Sequence, residues 1–402
     1  MAIHLLPEIQ RAVQERSYAE WTEIQEKTVP LIQEGKDVLG QSHTGSGKTA
    51  AFCLPILEKL THGQGLQSLI LVPTRELCEQ VTSEMQKFAK YTQLEVLAVY
   101  GGVGIEQQIS KLKHADIVIA TPGRLLDHMS RKTIQLNKVR IAVLDEADKM
   151  FEMGFIDDVK KILSYLPVKR QTLLFSATIS DDINQLAKRF MVNPILVKVS
   201  SYVEPAKLSQ YYYMVDSDKK FSLLMHILQH GKPGLTLIFC STRKRVDAVA
   251  KNLQKQGFEA HALHGGLTQS RRKHALGKIH SKEAEILVAS DVAARGLDIQ
   301  DIDFVINYDS PRTAKDHIHR IGRTARAGKE GKVITLVSSE DYSDFANVRQ
   351  DKSLGMQALQ LPFNLRIIPF QRLSREEMRS SKFPRDIRKD RFRRDRFRRR
   401  RS

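Results

Sequence analysis

A glycine-rich turn near the start of the chain has the composition of a phosphate-binding loop. Residues 42–49 read Ser-His-Thr-Gly-Ser-Gly-Lys-Thr, and they stand between a short apolar run and an alanine-rich helical stretch. Glycines between a strand and a helix let several backbone N–H groups point into one concavity, where they bind phosphate oxygens. We expect Lys48 to reach the β- and γ-phosphates of a nucleotide and the Thr49 hydroxyl to bind Mg²⁺. The remaining nucleotide-binding residues of this loop would be Thr44, Gly45, Ser46 and Gly47.

Three carboxylates follow an apolar run later in the first half of the chain. Residues 140–144 read Arg-Ile-Ala-Val-Leu, and residues 145–148 continue as Asp-Glu-Ala-Asp. In a parallel sheet, the carboxyl end of such a strand faces the same crevice as a phosphate loop on that sheet. We expect Asp145 to bind Mg²⁺ and Glu146 to orient and deprotonate an attacking water. An acidic tetrapeptide alone is typical of a solvated turn, and its pairing with the lysine and threonine of the loop argues against that alternative.

Short β-rich runs alternate with helical stretches through both halves of the chain. Several runs are continuously apolar, as in strands that helices cover on both faces. The alternation predicts an α/β fold with a parallel sheet in each half. A turn-rich break, residues 200–205, separates the two series. The predicted strands are 37–41, 68–72, 95–100, 116–120, 140–144, 171–175 and 195–199 in the first half, and 208–215, 235–240, 259–263, 286–290, 303–307 and 332–337 in the second.

The length and composition of the chain bound its class. With 402 residues, 41% of them apolar, it can form two or three domains with packed cores, so a wholly disordered chain is excluded. No run reaches the ~18 apolar residues of a membrane-spanning helix, and the first residues lack the features of a secretory signal. Cys53, Cys78 and Cys240 are widely spaced among apolar neighbours. They predict buried thiols in a reducing compartment rather than disulfides or a zinc site.

The positive charge of the chain is concentrated at its C-terminus. Of a net charge of +18, residues 371–402 contribute +10, from 15 Lys/Arg and five Asp/Glu. This segment has too few apolar residues to offset the entropy of ordering, so we predict that residues 366–402 form a disordered basic tail. Arginine-rich arms bind phosphates through counterion release, and Phe392 and Phe397 could stack on bases. A tail that only keeps the protein in solution is the alternative.

The phosphate loop and the acidic tetrapeptide together resemble the DEAD-box RNA helicases of helicase superfamily 2. Residues 145–148 spell the family name, and further motifs follow in family order from about Pro7 to Val337. The resemblance implies two tandem RecA-like domains with parallel sheets, ATP and Mg²⁺ as cofactors, and RNA as the partner. On this basis we assign residues 1–203 to the ATP-binding domain, 204–365 to the second domain and 366–402 to the tail.

Several segments of the first half resemble the RNA-contacting and coupling motifs of the family. The residues implied to contact the RNA backbone are Pro73, Thr74, Arg75, Gly101, Gly102, Thr121, Pro122, Gly123 and Arg124. Contacts of this kind go mostly to sugar and phosphate and carry little sequence information. Ser176 and Thr178 are implied to couple hydrolysis to strand separation, with Asp148 as their partner. On the residues alone, a hydroxyl after a strand more often caps a helix.

The second half resembles the family in its RNA-binding and nucleotide-sensing residues. The implied residues are Arg272, Ser290 and Arg295 for RNA, Asp298 for the ribose of ATP, His319 for the water network, and Arg323 and Arg326 as arginine fingers on the γ-phosphate. By resemblance, the fingers engage only when the two domains close, so that ATP and RNA together complete the site. From spacing alone, arginines at 320, 323 and 326 are also typical of a solvated basic helix face.

The segment that would read the adenine departs from the family pattern. Residues 21–25 are Trp-Thr-Glu-Ile-Gln, where Pro-Thr-Pro-Ile-Gln is usual, and Gln25 can still read the adenine edge with its amide. The aromatic residue that the family places upstream would fall before the first residue of this sequence. Tyr18 or Trp21 could take its place, although packing is the expected role of both.

These residues predict an enzyme in which water attacks the γ-phosphate of ATP in line and RNA stimulates the reaction. We expect it to unwind short RNA duplexes locally or to remodel ribonucleoprotein complexes. A nucleotide-gated RNA clamp with little turnover is the alternative, and a duplex-DNA helicase of the same superfamily is a second rival. A small-molecule kinase is disfavoured, because the arginine array and the second α/β domain would have no role in it. We expect a cytoplasmic monomer with no membrane partner that binds RNA largely independently of sequence.

Overall fold

Each half of the chain forms its own α/β unit. The computed structural model describes residues 3–16, 20–42, 45–199, 208–231, 234–294, 302–322, 324 and 331–371. The described residues up to 199 belong to the first unit, and those from 208 onward belong to the second. Within these described ranges, no helix is both long and apolar enough to cross a membrane.

The first unit is a seven-stranded parallel sheet with helices on both faces. Its strands are β1 (Val38–Gln41), β2 (Ser68–Leu71), β3 (Val96–Val99), β4 (Ile117–Ala120), β5 (Ile141–Leu144), β6 (Gln171–Ser176) and β7 (Ile195–Lys198). Its helices are α1 (Pro7–Gln14), α2 (Glu23–Gln33), α3 (Lys48–Lys59), α4 (Arg75–Phe88), α5 (Ile105–Leu112), α6 (Pro122–Ser130), α7 (Ala147–Glu152), α8 (Ile156–Tyr165) and α9 (Asp181–Phe190). The strands lie in the order β3-β4-β2-β5-β6-β1-β7, and all adjacent pairs are parallel.

The second unit is also a seven-stranded parallel sheet. Its strands are β8 (Leu208–Met214), β9 (Thr236–Phe239), β10 (Ala260–Leu263), β11 (Ile286–Ala289), β12 (Phe304–Asn307), β13 (Gly331–Val337) and β14 (Gln357–Leu359). Its helices are α10 (Lys220–Gly231), α11 (Arg243–Lys255), α12 (Gln269–His280), α13 (Asp291–Ala294), α14 (Ala314–Ile321) and α15 (Tyr342–Arg349), with short 3₁₀ turns at Ser339–Asp341 and Lys352–Leu354. The strand order is β10-β11-β9-β12-β13-β8-β14, again parallel throughout.

The two sheets have the same topology. Counted along the chain within each unit, the strands lie in the order 3-4-2-5-6-1-7 in both. The first and fifth strands therefore flank the sixth, and their carboxyl ends meet at one edge of the sheet. Side chains that follow those strands share a crevice there, which is where ligands bind in open α/β sheets.

The central strands of the first sheet account for the continuous apolar runs in the sequence. Every residue of β2, β4, β5 and β6 is buried, because helices cover both faces of the sheet. The thirteen predicted strands are all confirmed, with bounds that differ from the prediction by one residue or none at each end. The fourteenth strand, Gln357–Leu359 at the edge of the second sheet, was missed because three residues are too short to give a recognisable run.

The last described residues, 365–371, form a strap that docks on the second unit. Three of its side chains pack against the core: Leu365, Ile368 and Phe370. The ring centroids of Phe370 and Phe221 lie 5.4 Å apart. The Asn252 side chain accepts from the Gln371 backbone N–H at 3.0 Å and donates to its carbonyl at 2.9 Å. The packed part of the chain therefore extends six residues beyond the predicted boundary at 365, because these apolar side chains suffice for docking; residues 372–402 lie outside the described residues.

Candidate functional site

The loop between β1 and α3 is held by its own side chains. Lys48 Nζ donates a hydrogen bond of 2.8 Å to the Ser42 carbonyl oxygen, and the hydroxyls of Ser42 and Ser46 lie 2.8 Å apart. Thr49 is half-buried in the first turn of α3, and the predicted site residue Thr44 lies outside the described residues. The buried ammonium thus has a neutral carbonyl as its hydrogen-bond acceptor, which anionic phosphate oxygens would replace favourably.

Glycine is required where the loop meets the adenine-reading segment. Gly45 and Gly47 have φ values of +86° and +92°, in the left-handed region. A Cβ added at Gly47 would lie 2.4 Å from the amide nitrogen of Gln25. That amide donates to the Gly47 carbonyl at 3.0 Å, while the Gln25 side-chain oxygen accepts from the Thr22 backbone N–H at 3.0 Å. The buried Gln25 side chain therefore links the start of α2 directly to the phosphate loop.

Asp145 is buried at the carboxyl end of β5. Its backbone N–H donates to the Leu71 carbonyl of the neighbouring strand at 2.9 Å, and its Oδ1 accepts from the Glu146 N–H at 2.9 Å. Burial raises the pKa of Asp145 to about 6, the Lys48 ammonium opposes the rise, and the Glu146 carboxylate adds to it. This carboxylate is therefore short of positive charge, which is the state that a divalent cation relieves.

Glu146 adopts a strained backbone conformation between β5 and α7. Its φ of +51° is rare for a residue other than glycine and carries a cost of order 1–3 kcal/mol. The side chain is buried, and its Oε2 has no hydrogen-bond partner among the described residues, although Lys149 Nζ lies 3.8 Å away. Strain together with a buried acceptor that lacks a hydrogen bond fits a carboxylate that accepts a proton from a bound water.

The predicted coupling residues are brought together. Asp148 Oδ2 accepts from both the backbone N–H and the hydroxyl of Thr178, each at 3.1 Å. The Ser176 hydroxyl donates to the Thr178 carbonyl at 2.7 Å and accepts from the Asp148 N–H at 3.3 Å. The Ser176 carbonyl in turn accepts from the Ser42 N–H at 3.1 Å, which joins this cluster to the phosphate loop. The hydroxyls at 176 and 178 bind the Asp148 segment and do not cap α9, whose cap is Ser180.

The predicted RNA-contacting segments of the first unit follow three neighbouring strands, β2, β4 and β3. Thr74 caps α4 by accepting from the Leu77 N–H at 3.2 Å, and Pro73 is buried beside it. Arg75 lies against the turn after β3. A Cβ at Gly102, whose φ is +90°, would fall 2.1 Å from Arg75 Nη1, so the guanidinium needs a glycine there. Gly101 forms the same turn, with Arg75 Nη2 3.4 Å from its added Cβ position.

The segment after β4 begins α6. Thr121 donates its backbone N–H to the Val99 carbonyl at 3.0 Å, and Pro122 is the buried first residue of the helix. Gly123 is exposed, with open space where a Cβ would stand. Arg124 is turned inward: its Nη1 donates to Gln108 Oε1 and its Nη2 to the Val103 carbonyl, each at 3.1 Å.

In the second unit, only part of the predicted site lies within the described residues. Arg272 is buried on α12, Ser290 donates its N–H to the Leu263 carbonyl at 3.2 Å, and His319 is half-buried on α14. Four predicted site residues lie outside the described ranges: Arg295, Asp298, Arg323 and Arg326. For Arg320, the alternative of a solvated basic face is wrong, because this buried guanidinium donates to both carboxylate oxygens of Asp291 at 2.6 and 2.8 Å.

Several buried polar residues were not predicted from the sequence. Gln108 and His128 lie behind the turn after β3, and Lys220 pairs with Asp309 in the second unit. A charged residue beside an apolar stretch was the only available signal for Lys220 and Asp309. For Gln108, the sequence shows only a polar residue on an amphipathic helix, and nothing marks it as buried.

The donor set at this edge of the first sheet fits Mg²⁺ that is shared with phosphate oxygens. Among the residues that the structure describes, no group of three or more His, Cys, Asp or Glu could hold a metal ion. Mg²⁺ at nucleotide sites is typically bound by one or two side chains together with phosphates and waters. Asp145, with its raised pKa, and Thr49 would be the side chains that hold it.

Family models match both units. The DEAD/DEAH box helicase model matches residues 22–186, and the helicase conserved C-terminal domain matches residues 219–328. The chain is 44% identical to the DEAD-box ATP-dependent RNA helicase CshA of Geobacillus kaustophilus over 361 residues, which cover 89% of this chain and 77% of that protein. It is 45% identical to the CshA of Listeria monocytogenes, over 88% of this chain and 69% of the relative.

Solved structures show the same likeness. Saccharomyces cerevisiae Dbp5 bound to RNA and ADP BeF3 matches with a TM-score of 0.78 and 30% identity, over 89% of this chain and 94% of that one. A DEAD box protein from the hyperthermophile Methanococcus jannaschii matches with a TM-score of 0.53 and 38% identity, over 89% and 98% of the two chains. The matched motifs, the two parallel sheets and these relatives together show that this chain belongs to the DEAD-box family of ATP-dependent RNA helicases.

Proposed function

We propose that this protein hydrolyses ATP in response to RNA and uses the cycle to unwind short RNA duplexes or to remodel ribonucleoprotein complexes. The observation that carries the proposal is the buried Glu146 carboxylate, whose Oε2 has no hydrogen-bond partner among the described residues, beside Asp145 at the edge that also carries Lys48. A positioned base beside a phosphate loop is the arrangement that activates water for phosphoryl transfer.

In this mechanism the first unit holds the triphosphate and the attacking water. The ammonium of Lys48 leaves the Ser42 carbonyl and binds the β- and γ-phosphates, while Gln25 contacts the adenine edge. Thr49 and Asp145 would hold Mg²⁺, which would supply positive charge to the phosphate oxygens. Glu146 accepts a proton from the water that attacks the γ-phosphate. Asp298, Arg323 and Arg326 lie outside the described ranges, and we propose for them the roles that the family resemblance implies: Asp298 at the ribose, and the two arginines at the γ-phosphate. By the same resemblance, we propose that His319 helps to hold the water network.

We propose that Asp148, Ser176 and Thr178 couple hydrolysis to RNA. The support is their hydrogen bonding to one another and the bond that the Ser42 N–H, at the start of the phosphate loop, donates to the Ser176 carbonyl. If the loop moves when phosphate leaves, these hydrogen bonds would therefore transmit the movement to Thr178. Coupling through a short chain of hydrogen bonds needs two discrete arrangements of the cluster, one for each nucleotide state.

The remaining partners and the setting are also proposals. We propose a monomer that binds RNA largely without sequence choice, through Arg75, Arg272 and Ser290 and the exposed backbone near Gly123. The basic tail, residues 372–402, would add electrostatic affinity for RNA outside the core. A cytoplasmic setting is supported by Cys53, Cys78 and Cys240, which are buried free thiols. We also propose that the boundary between the two domains lies between residues 203 and 204.

Glu146→Gln tests the proposal. The amide keeps the size of the side chain but cannot accept the proton, so RNA-stimulated ATP hydrolysis should fall by about 10²–10⁴-fold. Binding of ATP and of single-stranded RNA should persist, since Lys48, Asp145 and the RNA-contacting segments are untouched. Phosphate release and displacement of a labelled strand from a short RNA duplex are the measurements. Glu106→Gln, the same change at an exposed position of α5, is the control.

Three results would contradict the proposal. If Glu146→Gln hydrolyses ATP at the wild-type rate with RNA present, Glu146 is not the base. If the wild-type protein releases only one phosphate for each long-lived RNA complex, the protein is a nucleotide-gated clamp. Stimulation by duplex DNA rather than by RNA would instead favour the DNA-helicase rival.

A further inference from the structure

A buried hydrogen-bond network lies behind the RNA-contacting surface of the first unit. At its centre is the Gln108 side chain on α5, whose Oε1 accepts from Arg124 Nη1 at 3.1 Å and lies 3.0 Å from His128 Nε2. The amide nitrogen of Gln108 donates to the Tyr100 carbonyl at 3.0 Å. Gln108 and His128 are 6% and 0% exposed, so these bonds have no competition from water.

The Arg124 guanidinium makes its hydrogen bonds to other groups of the first unit. Besides its bond to Gln108, its Nη2 donates to the Val103 carbonyl at 3.1 Å, and its Nε lies 4.0 Å from Asp127 Oδ2. The side chain is only 13% exposed. A guanidinium that binds a phosphate presents a free planar fork of N–H groups to it. Arg124 in this conformation presents its fork to Gln108 and Val103.

The network fixes both ends of the turn that carries Arg75. Tyr100 and Val103 flank Gly101 and Gly102, so Gln108 holds one end of the turn directly and Arg124 holds the other. The Arg75 guanidinium lies against Gly102, with Nη1 2.1 Å from the position of an added Cβ. A shift of this turn would therefore move the surface against which Arg75, the cation of the neighbouring RNA-contacting segment, lies.

His128 supports the network from the other side. Its Nδ1 lies 2.8 Å from the Thr133 hydroxyl, so the ring is held at both nitrogens. Burial, and then the nearby Arg124 guanidinium, lower the pKa of His128 below its ordinary value. A neutral ring with its proton on Nε2 donates to Gln108 Oε1, which leaves that oxygen with two donors and no further capacity.

We propose that Gln108 and His128 are positioning residues for RNA binding, and that Arg124 acts on RNA through them rather than by contact with a phosphate. The inference rests on the proposed RNA-stimulated function of the same surface. Its physical basis is preorganisation: RNA meets a turn and an Arg75 side chain that are already fixed, so less ordering entropy is lost on binding.

The test measures the affinity for single-stranded RNA at several salt concentrations, with a non-hydrolysable ATP analogue present. Gln108→Leu removes the central acceptor without changing charge, and we expect about tenfold weaker binding, as for loss of a buried hydrogen-bond partner. The slope of log affinity against log salt should not change, because no phosphate contact is lost. Arg124→Lys keeps the charge but cannot make both bonds, and it should lose a similar factor. Gln107→Leu, on the exposed neighbour of Gln108, should match the wild type.

A double variant sharpens the test. Gln108→Leu with Arg124→Lys should bind RNA about as weakly as the weaker single variant, since both changes break one network. The proposal is overturned if Arg124→Lys binds like the wild type while Arg124→Ala reduces the salt slope by about 0.7, the signature of one lost phosphate contact. Thermal unfolding and binding of the ATP analogue establish that each variant is folded; if Gln108→Leu does not fold, the two Arg124 variants decide the matter alone. ATP hydrolysis that does not depend on RNA in the wild type would instead contradict the proposed function. Failure of the positioning role and failure of the proposed function therefore give different results.

Discussion

The two units place a lysine and an aspartate at equivalent positions and use them differently. Lys48 and Lys220 each begin the helix that follows the first strand of their unit, and Asp145 and Asp309 each follow the fifth strand. In the first unit, the lysine donates to a backbone carbonyl in a glycine-rich loop. In the second, Lys220 Nζ lies 3.6 Å from Asp309 and also contacts Asp341.

The neighbours of the two aspartates decide the difference. Asp309 accepts from Arg245 Nη1 at 2.8 Å and from the Ser241 backbone N–H and hydroxyl at 2.7 and 2.9 Å. Burial alone would raise the pKa of Asp309, but Lys220, the Ser241 N–H and Arg245 outweigh it and lower the pKa. For Asp145 burial prevails, and its pKa is about 6.

One sheet topology therefore forms a ligand site in the first unit and a structural ion cluster in the second. Where internal cations and donors satisfy the carboxylate, the charges hold the unit together. Where the carboxylate is left short of positive charge inside the protein, the missing charge comes from a cation that binds together with a phosphate. A buried charge that internal partners do not satisfy therefore indicates a functional site better than the presence of a lysine and an aspartate at these positions does.

Removal of the two lysines should have opposite consequences. Lys48→Ala should reduce RNA-stimulated ATP hydrolysis at least about a hundredfold, because a preorganised donor to the phosphates is lost. It should change stability by about 1 kcal/mol or less, since Asp145, whose pKa is about 6, can take up a proton instead. Lys220→Ala leaves buried Asp309 and Asp341 without a cation that both contact, and should destabilise the second unit by about 3–5 kcal/mol.

Two readouts separate these effects. Hydrogen exchange of amides in β9 and β12 reports the stability of the second unit. Trp21, the only tryptophan of the chain, packs against the core of the first unit, so its fluorescence in urea reports that unit. The comparison fails if Lys220→Ala leaves exchange in β9 and β12 unchanged, or if Lys48→Ala unfolds the first unit as strongly as it reduces turnover.

The sequence predicted the chemistry of the first unit better than that of the second, for a physical reason. The phosphate loop is local, so its glycines, Lys48 and Thr49 stand together in the chain. The ion cluster of the second unit brings Lys220 and Asp309 together with residues from two other segments, 241–245 and 341, so no local sequence pattern reveals it. The central strands were predicted because burial on both faces makes them apolar throughout, whereas β14 and the strap depend on tertiary contacts that short segments do not reveal.

Changes of pH should affect the two aspartates in opposite directions. A raised pKa means that folded Asp145 binds its proton more tightly than the unfolded chain does, so the first unit should lose about 3 kcal/mol as pH rises from about 4 to about 6. Asp145→Asn should abolish that loss and raise the urea midpoint of Trp21 fluorescence at pH 7. The lowered pKa of Asp309 gives stability that is present above its ordinary pKa and is lost as pH falls through the lowered value.

Asp309→Asn should therefore destabilise the second unit at pH 7, as measured by exchange in β9 and β12. The two variants are matched, because each replaces a buried aspartate at the same topological position with the isosteric amide. Equal shifts of both units in the same direction would show that the contrast between the two carboxylates is not real.

The strap gives the smallest expected effect and shows whether the units are energetically separate. Phe370→Ala removes the ring that packs on Phe221 in α10, the helix that begins with Lys220. Because Phe370 is half-buried, the cost should be about 1–2 kcal/mol, below that of a fully buried phenylalanine. Hydrogen exchange in α10 should quicken accordingly, while the urea midpoint of Trp21 fluorescence stays at its wild-type value. Phe363→Ala, at a fully exposed position of the same chain segment, should change neither. A shift of the Trp21 midpoint in Phe370→Ala would mean that the strap stabilises both units. The contrast between a ligand site in one unit and a structural cluster in the other would then have to be tested on the stability of the whole chain.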